Sequence, residues 1–276
     1  MATTDMFSVV APIYPYRDCI RFLGGDVDDY LQVDAAAAAA ADSYTSGTIS
    51  AWIMCPDDTG TYTIVGTGDK DVVEFIELNV EAGLLTCRCT DNTTAQFVTQ
   101  ADDKLIQKHK WYHVAVVQRV DGKGVHLFIN GEEIDRTNDT ATEVNAWFKA
   151  CAGIDSGRIG AANKAGNDSV TQEFKGYISD VKIWNVPLTN DQIKEDYEGN
   201  GTTTGLINHW DFQGDYLDAG TGADNGTAVG DICLCYGANP FISKLTFNPE
   251  FTMVTADHPR IAINDKIGVA LAIDAA

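Results

Sequence analysis

The sequence predicts an all-β protein, folded as a two-sheet antiparallel sandwich. Three observations carry this prediction. Short apolar and β-branched runs recur along the chain, separated by turns rich in Gly, Asp, Asn and Pro. The densest stretch, residues 110–136, writes two hairpins in succession. Its first run, Trp111-Tyr112-His113-Val114-Ala115-Val116-Val117, ends in the turn residues Asp121-Gly122-Lys123-Gly124. A second run, Val125-His126-Leu127-Phe128-Ile129, is closed by Asn130-Gly131. Asn-Gly suits a type I′ turn, which needs positive φ at both central residues. Finally, the first run is apolar on both faces. Trp111, His113, Ala115 and Val117 point one way, and Tyr112, Val114 and Val116 the other, so this strand is expected inside a layered structure.

The other elements follow in order. Residues 1–18 are read as an N-terminal arm, because Pro12 and Pro15 exclude a central strand. Residues 19–33 hold the first strands, around the turn Gly24-Gly25-Asp26. The alanine run 35–41 has high helix propensity but is too short to be stable alone. Strands are expected at 47–55 and 61–67, and a hairpin over 72–90 around Ala82-Gly83. Residues 138–169 read as loops. Within them, Trp147 and Phe148 are expected to cap the core, with a surface anchor as the alternative. A long strand covers 172–185. One short helix starts at Thr189, which with Gln192 forms a capping box, and ends at Gly199. The strands that complete the sandwich are expected within 205–235, and residues 236–276 are read as a C-terminal β-rich extension or docking arm.

The pattern W-x-H-V-A-V, then L-F-I-N-G, resembles the signature of laminin-G-like, concanavalin A-like jelly rolls. Further pieces occur in the family's order: Ile20-Arg21-Phe22-Leu23-Gly24-Gly25 with Asp28-Asp29-Tyr30-Leu31; Gly47-Thr48-Ile49-Ser50-Ala51-Trp52-Ile53; Arg158-Ile159-Gly160; and Phe174-Lys175-Gly176-Tyr177-Ile178-Ser179-Asp180. The resemblance spans residues 19–235 and implies a jelly-roll sandwich. The fold hosts lectins, adhesion modules, enzymes and virus structural parts, so it does not set the function.

Composition narrows the classes. The chain has 276 residues, and 19 basic against 40 acidic residues give a net charge of −21. Nucleic acid and anionic membranes need clustered Lys and Arg, so neither is an expected partner. No basic region followed by an apolar core opens the chain, and no run is apolar enough to span a bilayer. Seven cysteines without a secretion signal are read as free thiols, with the pairs Cys87/Cys89 and Cys233/Cys235 as small buried hydrophobes rather than soft-metal ligands.

Glu77-Leu78-Asn79-Val80-Glu81 is similar to the E-x-D-x-E catalytic strand of jelly-roll glucanases, in which two carboxylates flank the scissile bond. Asn79 replaces the middle carboxylate, and alternating Glu also suits the wet face of a strand, which is the default expectation. Glu77, Glu81, Trp147 and Phe148 are thus the ligand-binding candidates, and none is expected to be catalytic. Gly66-Thr67-Gly68 lacks the Lys and helix of a phosphate loop. Laminin-G-like and pentraxin-like relatives often hold Ca²⁺ at the sandwich rim. By resemblance the ligand candidates are Asp26, Asp28 and Asp29 in one loop, with Asp155 and Asp180.

The expected function is a non-enzymatic structural or attachment protein at a virion surface, as capsid decoration or in a phage tail or fibre. Its partners would be other subunits of the assembly, itself or a capsid protein included, and host glycans. Two alternatives stand beside it: a calcium-dependent carbohydrate-binding lectin or adhesion module, extracellular or at a cell surface, and a glycoside hydrolase or lyase.

Overall fold

The computed structural model describes residues 17–23 and 28–235. Proximity divides the chain into a unit over Met1–Pro240 and a second over Phe241–Ala276, and every described residue belongs to the first. The turn Gly24-Gly25-Asp26 and the extension over 236–276 lie outside the described residues, as does the arm apart from Arg17 and Asp18.

In chain order the elements are β1 (Cys19–Phe22), β2 (Tyr30–Gln32), α1 (Asp34–Ser43), β3 (Gly47–Met54), β4 (Thr61–Gly68), β5 (Phe75–Glu81), β6 (Leu84–Asp91) and β7 (Thr94–Ala101). Then come β8 (Tyr112–Gln118), β9 (Val125–Ile129), β10 (Glu132–Glu133), β11 (Arg136–Ala141), a 3₁₀ turn (Phe148–Ala150), β12 (Ser156–Ile159) and β13 (Gly176–Trp184). The described chain closes with α2 (Asn190–Tyr197), β14 (Leu206–Trp210), β15 (Thr227–Val229) and β16 (Cys233–Cys235). One sheet runs β10-β9-β8-β3-β13-β1-β16, with β14 also joined to β13. The other runs β11-β7-β6-β5-β4-β12-β2-β15. We call them the first and second sheets. Together they form the expected antiparallel jelly-roll sandwich.

The central meander is as read. β8 and β9 form one hairpin and β9 and β10 the next, and Asn130 and Gly131 both have positive φ, +52° and +82°. Val114 and Val116 enter the core with Ile49, Ile53 and Ile178 from the first sheet and Ile64, Leu78 and Leu85 from the second. The opposite face of β8 is also apolar, but its cover is a helix. Ala115 and Val117 pack with Phe128, Trp184, Leu188 and Ile193, the last of these on α2. α2 has the expected capping box: Thr189 Oγ1 accepts the Gln192 amide, and the Gln192 side chain accepts the Thr189 amide.

Among the described residues there are two α-helices, not the one short helix expected. The alanine run forms α1, extended to ten residues by Asp34 at its start and Asp42-Ser43 at its end. Ala36, Ala37, Ala40 and Ala41 are buried, and Gly157 of β12 has no side chain to obstruct Ala37. Tertiary packing thus supplies the stability that an isolated helix of this length lacks. β7 was not expected either; Asn92 and Thr93, both at positive φ, make the turn that adds it to the hairpin of β5 and β6.

Trp147 and Phe148 are each 1% exposed, so they are core residues and not ligand contacts. Their rings meet edge to face at 5.2 Å, and Phe148 meets Tyr44 in the same way at 6.4 Å. Truncating a buried Phe removes transfer energy and leaves a cavity. Phe148→Ala is expected to lower unfolding free energy by about 3–5 kcal/mol in urea melts; a loss below about 1 kcal/mol would restore the surface-anchor alternative.

Candidate functional site

One side of each sheet is spent on the core, so binding chemistry is confined to the outer faces and rims. On β5, Ile76, Leu78 and Val80 enter the core, and Phe75, Glu77, Asn79 and Glu81 point outward. The expected solvated face is not found. Glu77 is 1% exposed and Asn79 is fully buried, while Glu81 at the strand end is only partly covered. The cause lies in residues 161–172, which cross this face. Gly66 and Gly68 of β4 have no side chains, and a Cβ on either would collide with the backbone of Ala161, Ala162 or Asn163. The Gly66-Thr67-Gly68 sequence is therefore a seat for a crossing segment. That crossing puts Lys164 above Glu77.

Glu77 is the hub of the cluster. Its Oε1 accepts from Asn79 Nδ2 (2.7 Å), Arg88 NH1 (3.1 Å) and Lys164 Nζ (3.1 Å). Arg88, directly across on β6, also donates to Glu81 through NH2, so one guanidinium spans both carboxylates. Burial opposes the Arg88 charge, but Glu81 and Glu77 outweigh it and hold its pKa above the ordinary value. Lys164 also donates to Gln172 Oε1 at 3.1 Å, and Gln100 on β7 donates to Thr86 at 2.9 Å. Glu77 Oε2, Asn79 Oδ1 and Thr63 Oγ1 are buried without a hydrogen-bond partner. Buried polar atoms in that condition are uncommon enough to require a reason. The arrangement is not that of a nucleophile and an acid facing a sugar, because Glu77 is enclosed and both carboxylates are held by Arg88.

A second polar cluster lies on the outer face of the first sheet. β13 pairs with β1 over Gly176–Ile178 and with β14 from Val181 onward. The change of partner falls at a bulge, where Asp180 has φ +53°. Asp180 receives His209 Nε2 (2.7 Å) and Lys182 Nζ (2.9 Å). Lys182 also reaches Asp196 of α2 (2.8 Å), which is bonded to His113 Nε2 (2.9 Å) and Ser50 Oγ (2.7 Å). A small cleft of about 250 Å³ beside Asp180 is lined by Arg17, Asp18, Ser179, Asp211 and Gln213.

Except for the chain neighbours Asp28 and Asp29, the expected calcium ligands that are described lie apart from one another. Among the described residues no group of three or more His, Cys, Asp or Glu side chains is arranged to hold a metal. Asp26 lies outside the described residues, and Asp28 is exposed. Asp29 is buried, where it accepts the Asp231 amide at 2.7 Å. Asp155 accepts the Lys70 amide at 3.0 Å, and Asp180 belongs to the network above. Reading the sequence alone missed Arg88 and Lys164. The signal for Arg88 was a lone cation between two apolar cysteines, facing a strand of alternating glutamates; Lys164 had no local signal.

This architecture defines a lectin-like jelly roll. Residues 23–194 match the concanavalin A-like lectin/glucanases superfamily, and the chain belongs to it. No curated protein matches the chain. Among solved structures it is similar to the CBM40 of the Ruminococcus gnavus IT-sialidase bound to α2,3-sialyllactose, at 17% identity and TM-score 0.53, covering 66% of this chain and 97% of that one. It is similar to the native heptameric SAP-like pentraxin from Limulus polyphemus, at 14% identity and TM-score 0.55, covering 80% of this chain and 96% of that one. It also resembles the leech intramolecular trans-sialidase, at 15% identity and TM-score 0.51, covering 65% of this chain and 28% of the enzyme. At such identities the likeness establishes the fold.

The first-sheet network has a pH signature. Burial raises the pKa of Asp180 and of Asp196, but His209 and Lys182 outweigh it at the first, and His113 and Lys182 at the second, so both fall below the ordinary carboxylate value. A depressed folded-state pKa gives stability that is present above the unfolded value, near pH 4, and is lost as pH falls through the folded value. Unfolding free energy is expected to drop as pH falls below about 4. Asp196→Asn should be less stable at neutral pH and show a flatter acid limb in denaturant melts from pH 2 to 7; an unchanged limb would remove Asp196 from this role.

Proposed function

We propose that the protein is a non-catalytic carbohydrate-binding module that takes a polar glycan on the outer face of β5, β6 and β7. The observation that carries this is the Glu77 hub. A buried carboxylate holds Arg88 and Lys164 in fixed positions, and preorganised donors lower the ordering cost of binding a ligand. Around the hub, Glu81, Gln100 and Gln172 add partly exposed donors and acceptors. Glu77 Oε2, Asn79 Oδ1 and Thr63 Oγ1 lie enclosed beneath, and the groups that reach the surface, Arg88 and Lys164 with Gln100 and Gln172, offer donors to a ligand dense in hydroxyl oxygens. The similar R. gnavus module is described as bound to sialyllactose, which supports a glycan as the ligand class.

These lectin-like likenesses favour the carbohydrate-binding alternative over the virion role. A hydrolase is disfavoured by the enclosure of Glu77 and its three donors.

The test is a glycan array with the purified chain, in calcium and then in EDTA, with the bound glycans checked for cleavage. Binding is expected to persist in EDTA, because the polar groups of this face are held by the chain's own ion pairs. Arg88→Ala should weaken binding by about tenfold to a hundredfold, the worth of one or two charge-assisted hydrogen bonds. Lys108→Ala, an exposed change on the segment between β7 and β8, should leave binding unaltered. Binding that ignores Arg88→Ala would move the site elsewhere. Loss in EDTA would return calcium to the rim, and cleaved glycans would revive the hydrolase.

A further inference from the structure

Cys89 of β6 and Cys151, at the end of the 3₁₀ turn, are both fully buried, and their Sγ atoms lie 3.4 Å apart. They come together from positions 62 residues apart. Cys151 also touches the Thr90 carbonyl at 3.5 Å, so its side chain is directed at β6. We propose that Cys89 and Cys151 form a site for a specific disulfide, closed when the chain folds in the presence of a small-molecule disulfide such as glutathione disulfide.

The geometry selects this pair. A disulfide needs about 2.05 Å between sulfurs, and the remaining gap is within the reach of side-chain rotation and a small shift of the loop that carries Cys151. The other near contact, Cys233 to Cys235 at 4.0 Å, joins residues two apart on one short strand, where the Cβ positions oppose an unstrained bridge. Cys19 is held against the Cys235 carbonyl at 3.7 Å. Cys87 shares the inward face of β6 with Cys89.

The reaction is thiol–disulfide exchange. One protein thiolate attacks a sulfur of glutathione disulfide and releases one glutathione thiolate. The second protein thiolate then attacks the mixed disulfide and releases the other. The two protein thiol protons end on the two glutathione molecules, and the two protein sulfurs are oxidised as the reagent is reduced. In the folded chain contact with Cys89 and burial push the Cys151 thiol up, so the native pair resists attack. Closure therefore belongs to folding. The bridge would tie β6, which presents Arg88, to the segment that carries Trp147 and Phe148.

The test is to refold the full chain in a glutathione/glutathione disulfide buffer and in reducing buffer, block free thiols, digest with trypsin without reduction, and map the peptides. Cleavage after Arg88 separates Cys87 from Cys89, so residues 89–104 and 150–158 report the pair unambiguously. The expected result is one cross-linked species of these two peptides, two hydrogens lighter than their sum. Thiol titration should fall by two, and Tm should rise by roughly 5–10 °C over the reduced form. Recovery of both peptides fully alkylated, or of Cys151 joined to any other cysteine, would overturn the assignment. Cys151→Ser refolded in the same way should lose the oxidant-dependent rise in Tm, and persistence of that rise would overturn it too. If this variant fails to fold, the wild-type peptide map decides by itself.

Discussion

The constraint from which the rest of the structure follows is that each sheet must bury one apolar face against the other. Strands β3, β8 and β13 supply Ile49, Ile53, Val114, Val116 and Ile178, and β4, β5 and β6 answer with Ile64, Ile76, Leu78 and Leu85. At about 25 cal/mol for each Å² of apolar surface buried, this contact dominates every polar term in the molecule. It also fixes register, since a slip of one residue would turn Leu78 outward and Glu77 into the core. The position of Glu77 on the outer face is thus a consequence of where Leu78 must be.

What covers the outer faces differs between the sheets, and the difference sorts their chemistry. On the first sheet, α2 lies over Ala115 and Val117 and brings Asp196 down beside Lys182 and His113. A buried ion pair contributes little net stability compared with an apolar replacement, yet losing one partner costs several kcal/mol because the other is left uncompensated. Such a network therefore specifies where α2 docks more than how tightly. On the second sheet an irregular segment lies on two glycines and encloses Glu77, Asn79 and Thr63, while Glu81, Arg88, Gln100, Lys164 and Gln172 stay partly exposed around it. Both networks leave buried atoms without partners, His113 Nδ1 on the first sheet and Glu77 Oε2, Asn79 Oδ1 and Thr63 Oγ1 on the second, so what distinguishes the second is the cation pair, Arg88 and Lys164, that it holds at a partly exposed edge.

Legibility in the sequence followed the range of the interaction. Local chemistry was readable: the Asn130-Gly131 turn, the Thr189–Gln192 capping box and the strands of the meander each depend on neighbours a few residues away. The two-sheet fold was readable because short apolar and β-branched runs recur between turns and the run at 111–117 is apolar on both faces. α1 was underestimated because its four buried alanines rely on β12 and on Gly157, over a hundred residues later. The site was half legible. Glu77 and Glu81 were picked out by alternation, but their burial was not, since it depends on Lys164 crossing from a distant loop. The aspartates were legible only as residue types: Asp28, Asp29 and Asp155 lie in turns and loops, where Asp is favoured for backbone reasons as well as for cation binding.

Under the proposed glycan-binding function, preorganisation is what favours the face of β5, β6 and β7. A sugar presents many weak hydroxyl contacts, so affinity depends on how little the protein must be ordered on binding. An exposed lysine or arginine would lose rotamer freedom at each contact, at about 0.5–1.5 kcal/mol per side chain, enough to erase a neutral hydrogen bond. Arg88 has that cost met in the folded chain, because Glu77 and Glu81 hold both ends of its guanidinium. The same two carboxylates that resemble a catalytic pair in sequence thereby become the frame for a fixed cation. Asn79, the residue that departs from the enzyme pattern, completes the frame by donating to Glu77 where a third carboxylate would repel it. In the proposed reading, Asn79 at this position favours a fixed cation over a pair of free carboxylates.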